Sequence, residues 1–308
     1  MSGLVTRRSR NARRLLARLP LIAQSVVATR GIKPLTIVVA LLVIAWDIAR
    51  KAGTMEDFGL DAHAYWAVDL ANPYSLPAGT PDAFLYSPPF VYVFSVLHLI
   101  PWPVFHLLWL GIALVALAWL AGEWWLPMLA LPPVFNEVFF GNINLLIAVV
   151  IVLGLRRPGI WAFDLLSKVT PGIGVAWFAA RGDWRRLAIA VGITAAIVAV
   201  SFALTPNLWF EWIDTLRASS LVPPSESSIA IPLVPRLAVA LVLLIWAGRT
   251  GRLWVLPIAV TLAIPVLWSA SLSILVALVP LVRPGLERRL RQARSARIMS
   301  SAPALSAP

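Results

Sequence analysis

The stretch PPFVYVFSVLHLIPWPVFHLLWLGIALVALAWLA, residues 88–121, contains no Asp, Glu, Lys or Arg. The hydrocarbon core of a bilayer is crossed by about 20 apolar residues of helix. This run is too long for one such helix and carries a Pro-Trp-Pro break at 101–103. Proline lacks an N–H and clashes with the preceding turn. The stretch therefore predicts two apolar helices joined tightly, which places the chain in a membrane.

Composition extends that reading to the whole chain. Of 308 residues, 60% are hydrophobic and only 13% charged, and the mean hydropathy is +0.84. Soluble domains carry about 25% charged residues. No stretch is long and polar enough for a separate soluble domain, which excludes a soluble enzyme on an anchor. Upstream lie an apolar segment at 35–50 and a polar loop at 51–87. Downstream, 124–140 is loosened by Pro132 and Pro133, 143–155 stops at Arg156-Arg157, and 160–180 is interrupted at SKVTPG. Residues 187–204 read as an unbroken span. A second polar loop, 205–228, holds a surface helix at 209–217, and apolar segments at 229–247, 253–268 and 272–282 follow. The expected fold is an all-α polytopic membrane protein, a bundle of about nine to eleven hydrophobic helices, some short or re-entrant.

The net charge of +12 comes mostly from arginines grouped at 7–18, 156–157, 181–186, 249–252 and 288–297. Grouping at the ends of apolar segments is the positive-inside pattern. It predicts a multi-pass protein of the cell membrane with both termini cytoplasmic, and contact with anionic membrane lipids rather than nucleic acid. Residues 1–33 read as a basic cytoplasmic or interfacial helix, since 15–29 lacks a convincing cleavage site. Residues 34–283 form the membrane domain, and 284–308 a basic, disordered cytoplasmic tail. The loops 51–87 and 205–228 then share the outer face. This assignment does not close if every segment spans, so at least one element must be re-entrant or broken. Gly141-Asn142 and residues 168–171 are the candidates. Broken helices at membrane depth occur where they line a wet cavity or are buried in protein. The chain has no Cys, which excludes disulfides and thiolate chemistry.

A few polar residues require a reason. Lys168 lies inside an apolar segment, where a Lys costs about 2.5–3.5 kcal/mol. Either it pairs with Asp164 one turn earlier, or it holds an anion such as a phosphate beside the Pro171 break. FNEVFFGNINLL sets Asn136, Glu137, Asn142 and Asn144 around a glycine. It reads as a capped loop between helices, or as a helix break whose amides face a polar ligand. In the first polar loop, Asp57, Asp61, His63 and Tyr65 precede the YSPPF of Tyr86. Asp61 and Tyr65 share a helix face at i and i+4. A partly desolvated carboxylate can act as general base toward a sugar hydroxyl. Trp66, Tyr74 and Tyr86 could stack on a sugar, or serve as an interfacial aromatic belt.

Taken together, these motifs resemble glycosyltransferase family 87 of the C-type superfamily, over residues 37–282. The landmarks are Asp-x-x-x-Tyr (Asp61, Tyr65), Tyr-x-Pro-Pro (Tyr86, Pro88, Pro89), Gly-Asn-x-Asn (Gly141, Asn142, Asn144) and Lys-x-x-Pro (Lys168, Pro171) followed by RGDWRR. Asn142 stands where the family often has Gln, and a late outer-face His is replaced by LWSASLSIL. The resemblance implies a hexosyltransferase that moves a sugar, usually mannose, from a polyprenyl-phosphate donor to a lipid-linked acceptor on the outer face, with inversion. Asp61 would be the base and Lys168 would sit near the donor phosphate. Asp57, His63, Tyr65, Tyr86, Asn142 and Asn144 would line the site. No nucleotide motif is needed, because the donor is a lipid. No metal or other cofactor is expected, and the spacing of Asp57 and Asp61 is not diagnostic for a divalent ion. The competing expectations are a transporter or flippase for a lipid-linked or anionic solute, and a non-catalytic membrane scaffold.

Overall fold

The computed structural model describes residues 34–220 and 228–282. The expected N-terminal helix within 1–33, the tail at 284–308 and part of the second polar loop, 221–227, lie outside the described residues. The fold is all-α and belongs to a membrane protein, and among the described residues the only strand-like pairing is an isolated bridge between Ser228 and Trp268.

Thirteen α-helices are described. They are α1 (Pro34–Lys51), α2 (Leu60–Trp66), α3 (Pro88–Leu97), α4 (Trp102–Ala121), α5 (Trp125–Leu129), α6 (Pro132–Phe140), α7 (Asn144–Gly154), α8 (Ala162–Ser167), α9 (Ala176–Ala180), α10 (Trp184–Leu204), α11 (Pro206–Ser220), α12 (Leu233–Thr250) and α13 (Val255–Leu262). Proline accounts for many of the boundaries. Pro88, Pro132 and Pro206 each open a helix, where a missing N–H costs nothing because no partner is available there. The Pro-Trp-Pro break separates α3 from α4 as the sequence predicts.

The hydrophobic segments are more fragmented than their lengths imply. Three helices, Trp102–Leu129, Trp184–Leu204 and Leu233–Thr250, are long and apolar enough to cross a membrane, and a fourth span arises if the bent pair α6–α7 counts as one. α1 has the length, but Asp47, Arg50 and Lys51 fall near its end. The segment 160–180 becomes two 3-10 turns and two short helices. The segment 253–268 is helical only to Leu262. α10 buries only Ala190 and Ser201 and presents Val191, Val200 and Leu204 outward, the surface of a helix facing lipid.

The sharpest departure from a simple bundle is the turn of 107° between α6 and α7. Gly141 makes it, with a left-handed φ of 73°. A Cβ there would lie 2.7 Å from the Ala62 Cβ of α2. The glycine therefore permits both the backbone conformation and the contact of the bend with α2. The two polar loops touch: the indole of Trp212 in α11 donates to the Leu85 carbonyl at 3.0 Å.

A second constraint went unread in the sequence. Arg236 in α12 is 5% exposed and donates to the carbonyls of Ile231, Leu262, Ile264 and Pro265 at 2.7–2.9 Å. The guanidinium fork thus takes up three carbonyls at and beyond the end of α13 and the Ile231 carbonyl ahead of α12.

Two stability experiments follow from these contacts. Gly141→Ala and Gly182→Ala both force alanine into a left-handed φ, at about 1–2 kcal/mol, but Gly182 has open space around it. Gly141→Ala is expected to lower the unfolding temperature in detergent further than Gly182→Ala, and equal shifts would contradict the close contact. Arg236→Met is expected to destabilise strongly, because each abandoned buried carbonyl costs about 1–3 kcal/mol. Arg236→Lys should recover only part of that loss.

Candidate active site

The site forms where α2 meets the α6–α7 bend. Gly59, at a φ of 81°, opens α2 and its N–H donates to the Phe139 carbonyl at 2.8 Å. The Trp109 indole donates to the Gly141 carbonyl at 2.7 Å. These two bonds and the Gly141–Ala62 contact fix α2 beside the bend. Asp61 and Asn142, the neighbours of Ala62 and Gly141, are thereby brought together.

The Asn142 amide nitrogen donates to Asp61 Oδ2 at 2.6 Å. The Asn142 amide oxygen accepts from Lys168 Nζ at 2.9 Å and from the Ile143 N–H at 2.7 Å. Lys168 Nζ also donates to Asn144 Oδ1 at 3.1 Å. The Asn144 amide nitrogen donates to Glu137 Oε2 at 2.7 Å, and Glu137 Oε1 accepts from the Leu145 N–H at 3.2 Å. Ammonium and backbone N–H groups only donate, and ionised carboxylates only accept. Neither asparagine can therefore be turned over without setting donor against donor. A continuous chain runs Asp61–Asn142–Lys168–Asn144–Glu137, with one amide on each side of the lysine.

This geometry removes one of the two expectations for Lys168. It forms no ion pair with Asp164, whose buried carboxylate oxygens have no hydrogen-bond partner among the described residues. Instead the chain breaks after Lys168. Val169 adopts φ 58° and ψ −64°, and the Thr170 N–H donates to the Lys168 carbonyl at 2.7 Å. That is a γ-turn of the strained hand, and a positive φ at a β-branched residue is costly. The strain lies immediately beside the residue that enters the network. Asn142 and Asn144 likewise belong to a helix break rather than to a plain connecting loop.

Tyr65 and Tyr86 are also brought together. Their hydroxyls lie 2.9 Å apart and their rings meet edge to face. Burial above all, then Tyr86 and Asp61, holds the Tyr65 phenol well above its ordinary value. Both phenols therefore remain neutral hydrogen-bonding groups. The other expected site residues lie apart from the chain of bonds. His63 Nδ1 is bonded to Asp82 at 2.6 Å, with its ring against Trp66 and Trp102. Asp57 sits in the 3-10 turn before α2 and makes no hydrogen bond to the network. Trp66 and Tyr74 are fastened within the loop by bonds to the Ile100 and Tyr86 carbonyls. Among the described residues, no three or more His, Asp or Glu side chains gather to hold a metal ion. Glu137, absent from the expected site lining, was detectable as the lone charge in the run 125–155.

The family model for glycosyltransferase family 87 matches residues 84–301, more than two thirds of the chain. The chain belongs to glycosyltransferase family 87. Tyr86, Asn142, Asn144 and Lys168 fall inside the match, whereas Asp61 and Tyr65 precede it. The role of Asp61 therefore rests on its place in the network. No curated protein and no solved structure was found to match. As a glycosyltransferase, the protein uses a sugar donor and an acceptor.

Burial raises the Asp61 carboxyl above its ordinary 3.8, opposed in part by the Asn142 hydrogen bond and the charge of Lys168. A base must be ionised to take a proton, so its activity is lost as pH falls through its own pKa. With Asp61 as the base of a transfer reaction, the acid limb of kcat/KM would lie above that of an exposed Asp. Removing the opposing bond in Asn142→Ala should move the limb further up. A limb unmoved by Asn142→Ala would separate Asp61 from the titration that controls rate.

Proposed function

We propose that this family 87 member transfers a hexose, mannose first among candidates, from a polyprenyl-phosphate carrier to a lipid-linked acceptor. The observation that carries the reading is the single amide between Asp61 and Lys168. Asp61 Oδ1 has no hydrogen-bond partner among the described residues, and two of the three Lys168 ammonium hydrogens are engaged. One carboxylate oxygen and one ammonium N–H are thus open on either side of Asn142. They match the two ends of a displacement at an anomeric carbon.

In that reaction the acceptor hydroxyl attacks C1 of the sugar while its proton passes to Asp61 Oδ1. The bond from C1 to the phosphate oxygen breaks, and the electron pair leaves with the polyprenyl phosphate. Lys168 stabilises the charge that develops on that oxygen, where a fixed cation in a desolvated site acts strongly. Attack opposite the departing phosphate inverts the configuration at C1. Raised basicity suits Asp61 to the proton transfer, since a base works best when its pKa approaches the working pH. An outer-face site is supported by the place of Asp61 in the arginine-poor loop 51–87.

Purified protein in lipid is expected to move label from polyprenyl-phosphate-mannose to a new lipid in a total lipid extract. Asp61→Asn should reduce transfer by about 10²–10⁴-fold, and Lys168→Met by about 10²–10³-fold, with both variants folded. Activity surviving Asp61→Asn would remove it as the base. The bent α6–α7 pair also suits a transporter. Uptake of the lipid or an anionic solute into sealed vesicles without a covalent product would favour that alternative.

A further inference from the structure

Glu137 is completely buried, yet it carries the only charge in the run 125–155. A buried carboxylate is strongly disfavoured unless its oxygens are hydrogen-bonded and its charge compensated. Its two oxygens are taken by the Asn144 amide and by the Leu145 N–H in the first turn of α7, where a negative charge is favoured by the helix dipole. The nearest compensating cation along the chain of bonds is Lys168. Glu137 reaches it without touching the ammonium, because Asn144 stands between them.

We infer that Glu137 is a positioning residue: by fixing the Asn144 amide, it aims Lys168 so that the ammonium keeps an open N–H for the phosphate of the lipid donor. The inference rests on the phosphate-binding role proposed for Lys168. Its physical content is the fixed direction of that acceptor. Asn144 Oδ1 takes one Lys168 N–H, and Glu137 holds the amide that carries this oxygen. Being fully buried, Glu137 acts through Asn144 and not on the sugar.

The exchange of charge and amide tests this. In Glu137→Gln the new NH2 opposes either the Asn144 amide or the Leu145 N–H. Relief by turning Asn144 points its NH2 at Lys168. In the double variant Glu137→Gln/Asn144→Asp every bond has a correct donor again. The amide introduced on α6 would donate to the carboxylate introduced on α7 and accept from the Leu145 N–H. That carboxylate would in turn accept from Lys168. The net charge is also restored. Positioning partners of this kind account for about 10–100-fold. Glu137→Gln is therefore expected to lose about that factor in kcat/KM for polyprenyl-phosphate-mannose, with a raised KM for the donor. The exchange variant should regain most of the loss.

Rates are referred to folded protein, measured by thermal unfolding in detergent, and binding of polyprenyl phosphate alone in lipid nanodiscs is followed in parallel. Wild-type kcat/KM per folded molecule in Glu137→Gln would reduce the residue to a helix brace and overturn the inference. So would an exchange variant that is as impaired as Glu137→Gln, or one that fails to fold, since its bond set is the native one. If Glu137→Gln itself does not fold, the exchange variant alone decides. An active wild type with a failed exchange sinks the role of Glu137 alone. A wild type that neither transfers sugar nor binds polyprenyl phosphate sinks the proposed function, and this inference with it.

Discussion

The hydrogen bond from the Asn142 amide to Asp61 is the contact on which the site depends. It joins a helix in the polar loop to a break in the apolar bundle, 81 positions apart in the chain. Its other end holds the lysine. That bond exists because Gly141 takes a left-handed conformation and lets the bend lie against Ala62. Any side chain larger than hydrogen would push α2 away and separate the carboxylate from the amide. A backbone constraint at one glycine therefore sets the distance between a carboxylate and an ammonium that never touch.

The membrane makes such a network costly and also rigid. Polar groups removed from water must find partners, and in this chain most are neutral amides rather than opposite charges. Two carboxylates and one ammonium are held by two asparagines, so opposite charges share one chain of bonds without collapsing into direct pairs. Arg236 follows a similar logic elsewhere: it binds backbone carbonyls and has no carboxylate partner among its hydrogen bonds. Helices that stop at depth leave carbonyls and amides exposed, and the buried side chains collect at those stops. Asp164, buried without a hydrogen-bond partner among the described residues, is an exception for which the contacts give no physical account.

In the proposed reaction the arrangement would separate two tasks along one line of bonds. Asp61 lies on the loop side, where an acceptor hydroxyl would approach. Lys168 lies on the side of the strained turn at Val169, where the leaving phosphate would be held. Asn142 couples them, so a change in charge at either end is felt at the other. Family membership covers the lysine side of this line, and the carboxylate side is tied to it by geometry.

The sequence by itself determined the membrane class, the tight break at Pro-Trp-Pro, the interruption after Lys168 and the break at Gly141-Asn142. Each is written locally, in runs without charge, in prolines that cannot donate, or in a glycine among asparagines. It also marked Lys168, because an isolated charge in an apolar segment needs a reason, and Asp61, by the helix face it shares with Tyr65. What it could not determine was partnership. Asp164 at one helical turn was as plausible a partner for Lys168 as two asparagines more than twenty residues away, and only the fold could choose. The same holds for His63, drawn to Asp82, for Glu137, whose value depends on which amide it orients, and for Arg236, which serves carbonyls at and beyond the end of α13 and ahead of α12. Local propensity fixes where the chain bends. Which buried polar groups then meet is decided by the packing of those bends, since hydrogen bonds need contact that sequence spacing does not encode.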